Sequence, residues 1–360
     1  MAKNNNLNSA AKAKNDEFYT QFDDINKELN CYLDYDKNVF RGKTILLPCD
    51  DPQFSNFTQF FALKFEEYGM KKLISTSYAR NSKKFQMPKQ LNLFEQNSPQ
   101  YNPTIDDLRG RLYTLDENSI HNAPYPPEAL EWTYLEGDGD FRSEEVCKLR
   151  DEADVIITNP PFSLFREFLS WIMAADKKFL IIGNKNCITY KEVFPLIMQD
   201  EIWCGAMPMG TDLLFEVPKD VENLFIDERS KGSTYRIVKG KFYARSSAVW
   251  FTNIEHGRRH KPMILNTMAE NIKHNKHKQK RDVLYKKYDN YDAIEVPYTN
   301  LIPRDYEGVM GVPITFLNVY CPEQFEIIGC ANHGQDNKYD LFAPQINGKL
   351  IYKRILIRRR

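Results

Sequence analysis

The clearest chemical signal in this 360-residue chain is a polar turn that follows a short apolar segment. Residues 154–158 (DVIIT) predict a buried strand, and Asn159, Pro160, Pro161 and Phe162 come directly after it. Because a residue before proline avoids the α region, the backbone at Asn159 and Pro160 is held extended. This geometry can direct the side-chain oxygen of Asn159 and the carbonyl of Pro160 to one point, while Phe162 offers a ring for stacking.

Two converging acceptors suit an exocyclic amino group on an aromatic ring. Such an amine is a poor nucleophile because its lone pair is delocalised into the ring. Accepting both N–H bonds favours the pyramidal nitrogen, in which the lone pair becomes available for attack. A site of this kind works by orientation and electrostatics, and needs no general base before the transfer, since the proton can leave afterwards. The alternative is a rigid turn without chemistry.

The segments around this motif alternate between strand patterns and helix patterns. Short apolar runs predict strands, and apolar positions three and four residues apart predict helices. Alternation of this kind predicts an α/β fold with a doubly wound parallel sheet, in which ligands bind at the carboxyl ends of the strands. The predicted strands are residues 44–47, 72–78, 132–135, 154–158 and 179–182, and the predicted helices are residues 56–68 and 164–175.

Two further regions complete the predicted organisation. Residues 80–131 lose periodicity while Pro, Asn, Gln and Ser accumulate, which predicts an irregular insertion. Residues 212–217, 235–238 and 248–252 follow one another without long helices, which predicts antiparallel strands that close the edge of the sheet.

Composition is that of a globular protein, with 42% hydrophobic residues, 27% charged residues and a formal net charge of zero. The chain contains no run of about 20 apolar residues and no apolar segment typical of a signal peptide, so a cytoplasmic location is expected. Its seven cysteines form no C-x-x-C pair, and its six histidines have no zinc-binding spacing. We therefore expect reduced cysteines and no structural metal.

The neutral total conceals an asymmetry along the chain. Residues 253–360 hold 18 Lys and Arg against 12 Asp and Glu, whereas residues 1–252 hold 31 against 37. Such a basic segment is either a solvated surface or a contact for a polyphosphate backbone. The densest basic block contains Lys273, Lys276, Lys278, Lys280 and Arg281.

Taken together, the motifs resemble those of the amino-group DNA methyltransferases that use S-adenosylmethionine, and more narrowly those of the EcoRI-type adenine-N6 methyltransferase family. Four segments carry the resemblance, and they span the chain from residue 14 to at least residue 252. Their order is that of the gamma arrangement, with the N-terminal cofactor motif first and target recognition last. They are K-N-D-E-F-Y-T-Q (14–21), C-D-D-P with S-N-F (49–57), E-G-D-G-D-F (136–141) and N-P-P-F (159–162).

The resemblance implies a Rossmann-like methyltransferase sheet with a smaller C-terminal DNA-recognition unit. Residues 1–255 are the implied catalytic domain, and residues 256–360 are the implied basic target-recognition region. It further implies that a methyl group passes to N6 of an adenine flipped out of double-stranded DNA. Asn159 and Pro160 then orient the amine, while Phe162 stacks on the ring.

Cofactor residues are implied at the two N-terminal motifs. Tyr19 and Thr20 match the motif that holds the methionine part of the cofactor. Asp50 and Asp51 match the loop after the first strand, where a carboxylate suits the ammonium group. This loop departs from the family's usual glycine-rich pattern, which leaves open which atoms approach the cofactor.

Further contacts are implied around the next strand end and near the end of the sheet. Asp140 and Phe141 are expected at the adenine of the cofactor, with Asp138 as the competing carboxylate. The second strand ends in S-T-S-Y, without the acidic residue that often binds the ribose, so that contact is unassigned. Trp250 is either a wall of the target-base pocket or an ordinary core residue.

A flipped base requires the enzyme to hold distorted DNA by its phosphates, so the basic block is expected to contact DNA. We expect a monomer, and any cognate restriction endonuclease would act on the same site without direct contact. Two alternatives remain open. One is methylation of RNA adenine or of a protein glutamine, which the same motif also serves, and the other is a non-catalytic DNA-binding module.

Overall fold

The computed structural model describes residues 19–51, 55–79, 102–106, 108–120, 132–209, 213–216, 235–238, 240–274, 283–332 and 340–360. The chain divides into two compact units, one comprising Met1–Asn184 with Asp212–Ile254 and the other Lys185–Thr211 with Glu255–Arg360. The third change of unit, between Ile254 and Glu255, lies next to the boundary expected at residue 255. Residues 185–211, which the sequence assigned to the catalytic domain, belong instead to the second unit.

Most described strands are short, and they are labelled here in chain order: β1 (Tyr19–Thr20), β2 (Thr44–Leu47), β3 (Lys72–Thr76), β4 (Arg111–Asp116), β5 (Trp132–Tyr134), β6 (Val155–Thr158), β7 (Lys178–Asn184), β8 (Trp203–Cys204), β9 (Leu213–Glu216), β10 (Tyr235–Val238), β11 (Lys241–Ser246), β12 (Ala248–Thr252), β13 (Ala293–Glu295), β14 (Val309–Val312), β15 (Phe325–Ala331), β16 (Asp340–Leu341), β17 (Gln345–Ile346), β18 (Lys349–Leu350) and β19 (Arg354–Arg359). The α-helices are Phe22–Tyr35, Asn56–Leu63, Phe65–Tyr68, Pro103–Asp106, Glu117–Ile120, Glu144–Glu152, Phe165–Met173, Phe194–Met198 and Met268–His274.

In the first unit, strands of the central sheet lie in the order β5, β4, β3, β2, β6, β7 and β12. Strand β2 is parallel to β3 and β6, and β6 is parallel to β7. Because β4 is antiparallel to both β3 and β5, β5 runs in the same direction as β3. The carboxyl ends of β2, β3, β5, β6 and β7 therefore lie along one edge, and the predicted α/β, Rossmann-like class is confirmed.

The prediction of an irregular insertion over residues 80–131 was wrong for three described segments, of which Pro103–Asp106 and Glu117–Ile120 are short helices. Arg111–Asp116 forms β4, an antiparallel strand inside the sheet, with Arg111, Tyr113 and Leu115 buried on alternate positions. A buried arginine at the first of these positions obscured the alternation of apolar residues in the sequence. Residues 80–101, 107 and 121–131 lie outside the described residues.

The later strands were predicted correctly as antiparallel strands, but only Ala248–Thr252, which pairs with β7, lies at the edge of the central sheet. Strands β9, β10 and β11 instead form a separate sheet with β1, in the order β1, β9, β11, β10. Tyr19 pairs with Glu216 and Thr20 with Phe215. This small sheet attaches the N-terminal motif to the first unit.

Aromatic side chains dominate the core of the first unit. The helix Asn56–Leu63 buries Phe57, Phe60 and Phe61, and the following short helix ends at Gly69, whose φ of 62° is the left-handed conformation that glycine adopts readily. Complete burial of each such side chain contributes about 1.5–3 kcal/mol. This helix thus packs firmly against the sheet, directly after the loop that ends β2.

The second unit contains a sheet in the order β13, β14, β19, β15, β16 and a separate hairpin of β17 and β18. The apolar patterns of residues 311–329 and of the last 15 residues predict strands, and β14 and β15 overlap the first segment while β19 lies in the second. Glu295 on β13 and Arg354 on β19 form a buried ion pair, with 2.6 Å between Oε1 and Nη2. This pair lies within a sheet that is otherwise apolar on its buried face.

Within the described ranges, no helix is long and apolar enough to cross a membrane. All seven cysteines have free thiols. No group of three or more His, Cys, Asp or Glu side chains in the described part of the chain is arranged to hold a metal ion.

Candidate active site

The loops that follow β3 and β5 pack directly on each other at the carboxyl edge of the sheet. The amide of Ala79 donates to the carbonyl of Asp138 at 2.7 Å. Gly139 adopts a φ of 81°, and a Cβ built there would lie 2.1 Å from the carbonyl oxygen of Ser77. Only glycine permits this approach, which explains the second glycine of the E-G-D-G-D-F segment.

Asp50, at the end of β2, lies at the centre of a buried hydrogen-bond network. Its side chain is 5% exposed, and both carboxylate oxygens have hydroxyl donors. Ser55 Oγ donates to Oδ1 at 2.6 Å, and Thr158 Oγ1 donates to Oδ2 at 2.6 Å. The sequence placed this carboxylate at the cofactor's ammonium group, whereas both of its oxygens bond within the protein.

The environment of Asp50 disfavours its charged form. Burial raises the pKa of this carboxyl to about 7, because desolvation outweighs the opposing effect of the hydrogen bonds from Ser55 and Thr158. The neighbouring charge of Asp51 raises the pKa further. Asp50 therefore titrates near neutral pH, far above an exposed aspartate.

The N-P-P-F turn leaves an acceptor available at the same edge. The side-chain oxygen of Asn159 is buried and has no hydrogen-bond partner among the described residues. Pro160 is buried, Phe162 is partly exposed, and the amide of Leu164 donates to the carbonyl of Pro161 at 2.9 Å. An unsatisfied buried oxygen costs about 1–3 kcal/mol, which a ligand that donates an N–H can recover.

A second buried polar atom without a partner belongs to the N-terminal motif. The hydroxyl of Thr20 is buried and accepts or donates no hydrogen bond within the protein. The backbone carbonyl of Thr20 accepts from Asn56 Nδ2 at 2.8 Å. Since Asn56 directly follows Ser55, the short strand of Tyr19 and Thr20 is tied to the loop after β2.

Asp51 is the more exposed carboxylate of this loop, with 27% of its side chain accessible. Arg111 Nη1 lies 3.7 Å from Asp51 Oδ2, and Arg111 Nη2 lies 2.6 Å from Asp106 Oδ1. The guanidinium also lies 4.4 Å from the ring centroid of Trp132. Sequence reasoning missed Arg111, although the alternating pattern R-L-Y-T-L-D was the available signal.

The two aspartates after β5 bond mainly within their own loop. Asp138 Oδ1 accepts from the amide of Asp140 at 3.0 Å. Both carboxylate oxygens of Asp140 accept from the Arg142 guanidinium, at 2.9 Å and 2.7 Å. These hydrogen bonds hold the pKa of Asp140 below its usual value, so the side chain is charged and neutralised by Arg142.

Two aromatic candidates lie within the core. Phe141 is 5% exposed and packs edge-on against Phe168 and Trp171, with ring centroids 5.0 Å and 5.5 Å away. Trp250 is 2% exposed and packs edge-on against Phe57 at 5.9 Å, and its indole nitrogen has no hydrogen-bond partner. Both rings contribute packing, and their contact with a ligand stays a prediction.

This geometry agrees with what comparison of the whole chain indicates. A family model described as "Adenine-specific methyltransferase EcoRI" matches residues 6–360. The chain belongs to this family. Its activity is therefore that of an adenine-specific DNA methyltransferase, and the resemblance drawn from the four motifs is confirmed.

Three relatives match over most of their length. The Type II methyltransferase M.EcoRI of Escherichia coli is 40% identical over 358 residues, covering 99% of this chain and 97% of the relative. M.MpnI of Mycoplasma pneumoniae is 34% identical, covering 90% and 85%. M.MgeORF184P of Mycoplasma genitalium is 32% identical, covering 98% of each chain. No solved structure matches the chain significantly.

Of the predicted DNA contacts, Lys273 alone belongs to the residues that the structure describes. Lys273 is exposed in the last turn of the helix Met268–His274 in the second unit. Lys276, Lys278, Lys280 and Arg281 lie outside the described residues. Asp50, Ser55 and Thr158 are brought together with Asn159 at one edge of the sheet.

Proposed function

We propose that this methyltransferase transfers a methyl group from S-adenosylmethionine to N6 of an adenine extruded from double-stranded DNA. The observation that carries the proposal is the buried, unpartnered oxygen of Asn159 at the carboxyl end of β6. A base stacked in a duplex cannot reach such an oxygen, whereas an extruded one can. The amino group of adenine supplies the N–H donor that Asn159 lacks.

Residues of the first unit fit S-adenosylmethionine. The Thr20 hydroxyl is buried without a partner, and the partly exposed Asp51 carboxylate can accept from the ammonium group. Tyr19 is proposed beside Thr20, and Asp138, Asp140 and Phe141 are proposed around the adenine moiety. When bound, this cofactor supplies a methyl group activated by the positive sulfonium. Asp50 is not proposed as a cofactor contact, because both of its carboxylate oxygens accept hydrogen bonds from hydroxyls of the protein.

In the proposed mechanism, the N-P-P-F turn acts by orientation. Asn159 Oδ1 accepts one N–H of the adenine amino group, and the Pro160 carbonyl accepts the other. Pro161 keeps the preceding backbone extended, so neither acceptor has to reorganise during the reaction. Phe162 stacks on the base, and the surplus proton of N6 leaves to solvent after the transfer.

The proposed substrate is held by the basic C-terminal region, residues 256–360, with Lys273 and the four cations of residues 276–281 on DNA phosphates. The protein is proposed to act as a monomer that serves each DNA strand separately. Any cognate restriction endonuclease would act on the same DNA sequence without contacting this protein.

Neutralising Lys276, Lys278, Lys280 and Arg281 together is expected to weaken DNA binding and flatten its salt dependence. Four lost phosphate contacts would reduce the slope of log K against log salt by up to about 3.6. Binding isotherms at several salt concentrations measure that slope. The control removes the same number of exposed lysines near the amino ends of the parallel strands: Lys37, Lys43, Lys71 and Lys178. Equal slopes for both variants would assign the basic block to a solvated surface.

Thr20→Val is expected to weaken S-adenosylmethionine binding about tenfold, equivalent to about 1.4 kcal/mol, without lowering thermal stability. The change keeps the shape of the side chain and removes a hydroxyl with no partner, so the fold loses no hydrogen bond. Calorimetric titration and thermal melting measure the two effects. Thr252→Val is the control, because the Thr252 hydroxyl donates to the Phe179 carbonyl at 2.7 Å and its loss should affect stability alone. Unchanged affinity of Thr20→Val would remove Thr20 from the proposed cofactor site.

A further inference from the structure

The two oxygens of the Asp50 carboxylate reach two different loops of the active-site edge. Ser55, bonded to Oδ1, is the N-cap of the helix Asn56–Leu63, and its Oγ accepts from the amide of Phe57 at 3.0 Å. Thr158, bonded to Oδ2, is the residue directly before Asn159. One side chain therefore connects the loop after β2 with the loop after β6.

Each of these two hydrogen bonds leads through a neighbouring residue to a buried polar atom that has no partner among the described residues, namely Thr20 Oγ1 or Asn159 Oδ1. On one side, Ser55 precedes Asn56, whose amide holds the carbonyl of Thr20. On the other side, Thr158 precedes Asn159, whose oxygen has no partner. The backbone carbonyl of Asp50 also accepts from Ser75 Oγ at 2.5 Å, which ties the same residue to β3. Three strand ends thus converge on Asp50.

We propose that Asp50 is a positioning residue for methyl transfer, whose carboxylate fixes Thr158 and thereby the direction in which Asn159 presents its oxygen. This inference rests on the proposed function of Asn159. It assigns Asp50 to the acceptor side of the reaction and gives it no contact with the cofactor.

The energetics indicate that the carboxylate is retained for this role and not for folding. Burial raises the folded-state pKa of Asp50 to about 7, whereas its ordinary value is 3.8. Between these two pH values the folded protein binds more protons than the unfolded chain, so stability falls as pH rises through this window. Above pH 7 the ionised carboxylate of Asp50 lowers the stability of the folded protein. The neutral side chain of asparagine, which has the same shape, would avoid this cost.

The charged carboxylate of Asp50 has two oxygens that accept hydrogen bonds, whereas the side-chain amide of asparagine has only one. Ser55 and Thr158 both donate to it, and protonation would convert one of its oxygens into a donor. The nearest charged neighbour is Asp51, which Arg111 approaches to 3.7 Å. A displacement of about 1 Å between reacting groups lowers the rate on the order of a hundredfold. A hydrogen bond that fixes Thr158, and with it Asn159, is therefore expected to raise the rate of methyl transfer.

The test compares variants of the full-length protein acting on DNA at saturating S-adenosylmethionine. Thr158→Val is expected to lower kcat by about tenfold or more, and Thr158→Ser, which keeps the hydroxyl, is expected to restore it. Asp50→Asn is expected to lower kcat by a similar factor while its melting temperature at pH 8 equals or exceeds that of the wild type. The matched control is Thr252→Val, another fully buried threonine of the central sheet, which should melt earlier with kcat unchanged.

A pH profile adds a readout that a purely structural role would leave unmoved. Wild-type kcat is expected to rise with pH through about 7 as Asp50 ionises. Because Asp50 acts on the reaction through the hydroxyl of Thr158, this rise should be lost in Thr158→Val and in Asp50→Asn, whose kcat should stay low through pH 7, and it should return in Thr158→Ser.

Two results would overturn the inference, and they differ from each other. If Thr158→Val and Asp50→Asn retain wild-type kcat and the wild-type pH midpoint, Asp50 is a structural residue only and the proposed function stands. If the wild type itself transfers no methyl group to DNA, the proposed function fails and the inference fails with it.

Discussion

Asn159→Ala is expected to reduce methyl transfer to DNA by about a thousandfold or more while changing the dissociation constant of S-adenosylmethionine by less than about threefold. The side-chain oxygen of Asn159 is buried and unpartnered, so the folded protein loses no hydrogen bond when it is removed. The proposed transition state loses one of its two acceptors for the adenine amino group. Single-turnover rates with excess enzyme, together with calorimetric titration of the cofactor, separate the two effects.

The control for this variant is Asn253→Ala in the same unit. Asn253 Oδ1 accepts from the amide of Phe179 at 2.8 Å, and its Nδ2 donates to the Lys177 carbonyl at 3.0 Å. Its replacement should therefore lower the melting temperature and leave the transfer rate intact. An Asn159→Ala protein that retains half of its activity would refute the assignment of Asn159 to the acceptor amine.

Glu295→Ala is expected to destabilise the second unit by about 3–5 kcal/mol. Glu295 is 0% exposed and Arg354 is 5% exposed, and the Tyr288 hydroxyl donates to Glu295 Oε2 at 2.5 Å. Removing the carboxylate leaves a buried guanidinium without its counter-charge and a buried hydroxyl without its acceptor. Hydrogen exchange of the amides in β13, β14 and β19 measures the loss, and DNA binding should fall with it.

An exposed ion pair of the same unit provides the comparison. Arg358 Nη2 lies 2.8 Å from Glu326 Oε2, with side chains 49% and 43% exposed. Because solvent screens such a pair, Glu326→Ala should cost less than about 1 kcal/mol. Equal losses for both variants would contradict the view that the buried pair holds this sheet together.

The N-P-P-F turn and the strand before it could be predicted from the sequence because their signals are local. D-V-I-I-T-N-P-P-F combines a buried strand with two prolines that restrict the preceding backbone, and β6 with its following turn lies at that position. The order of strands and helices likewise follows from alternating local patterns. These features require no knowledge of which residues meet in space.

Contacts between segments that are distant along the chain could not be predicted from the sequence. Strand β4 escaped notice because its first buried position is Arg111, a residue whose burial depends on Asp106, Asp51 and Trp132 around it. The inward orientation of Asp50 depends on Thr158, 108 positions away along the chain. A carboxylate at a strand end is typical of ligand binding, and only the hydroxyls facing it reveal a different role.

The pairing of Tyr19 and Thr20 with β9 illustrates the same limit. Apolar spacing near these residues favours a helix, and a helix does begin at Phe22, but two residues earlier the chain is extended. Its partners, Glu216 and Phe215, lie almost 200 positions away, and no local pattern encodes that pairing.

The most direct test is to incubate the purified protein with labelled S-adenosylmethionine and unmethylated genomic DNA, with RNA and protein extract in parallel reactions. N6-methyladenine is then mapped in the DNA at base resolution. We expect label in DNA alone, on adenine N6 within one short sequence motif, and none with Asn159→Ala. Label confined to RNA or protein, or none in any reaction, would contradict the proposal that an extruded DNA adenine is the acceptor.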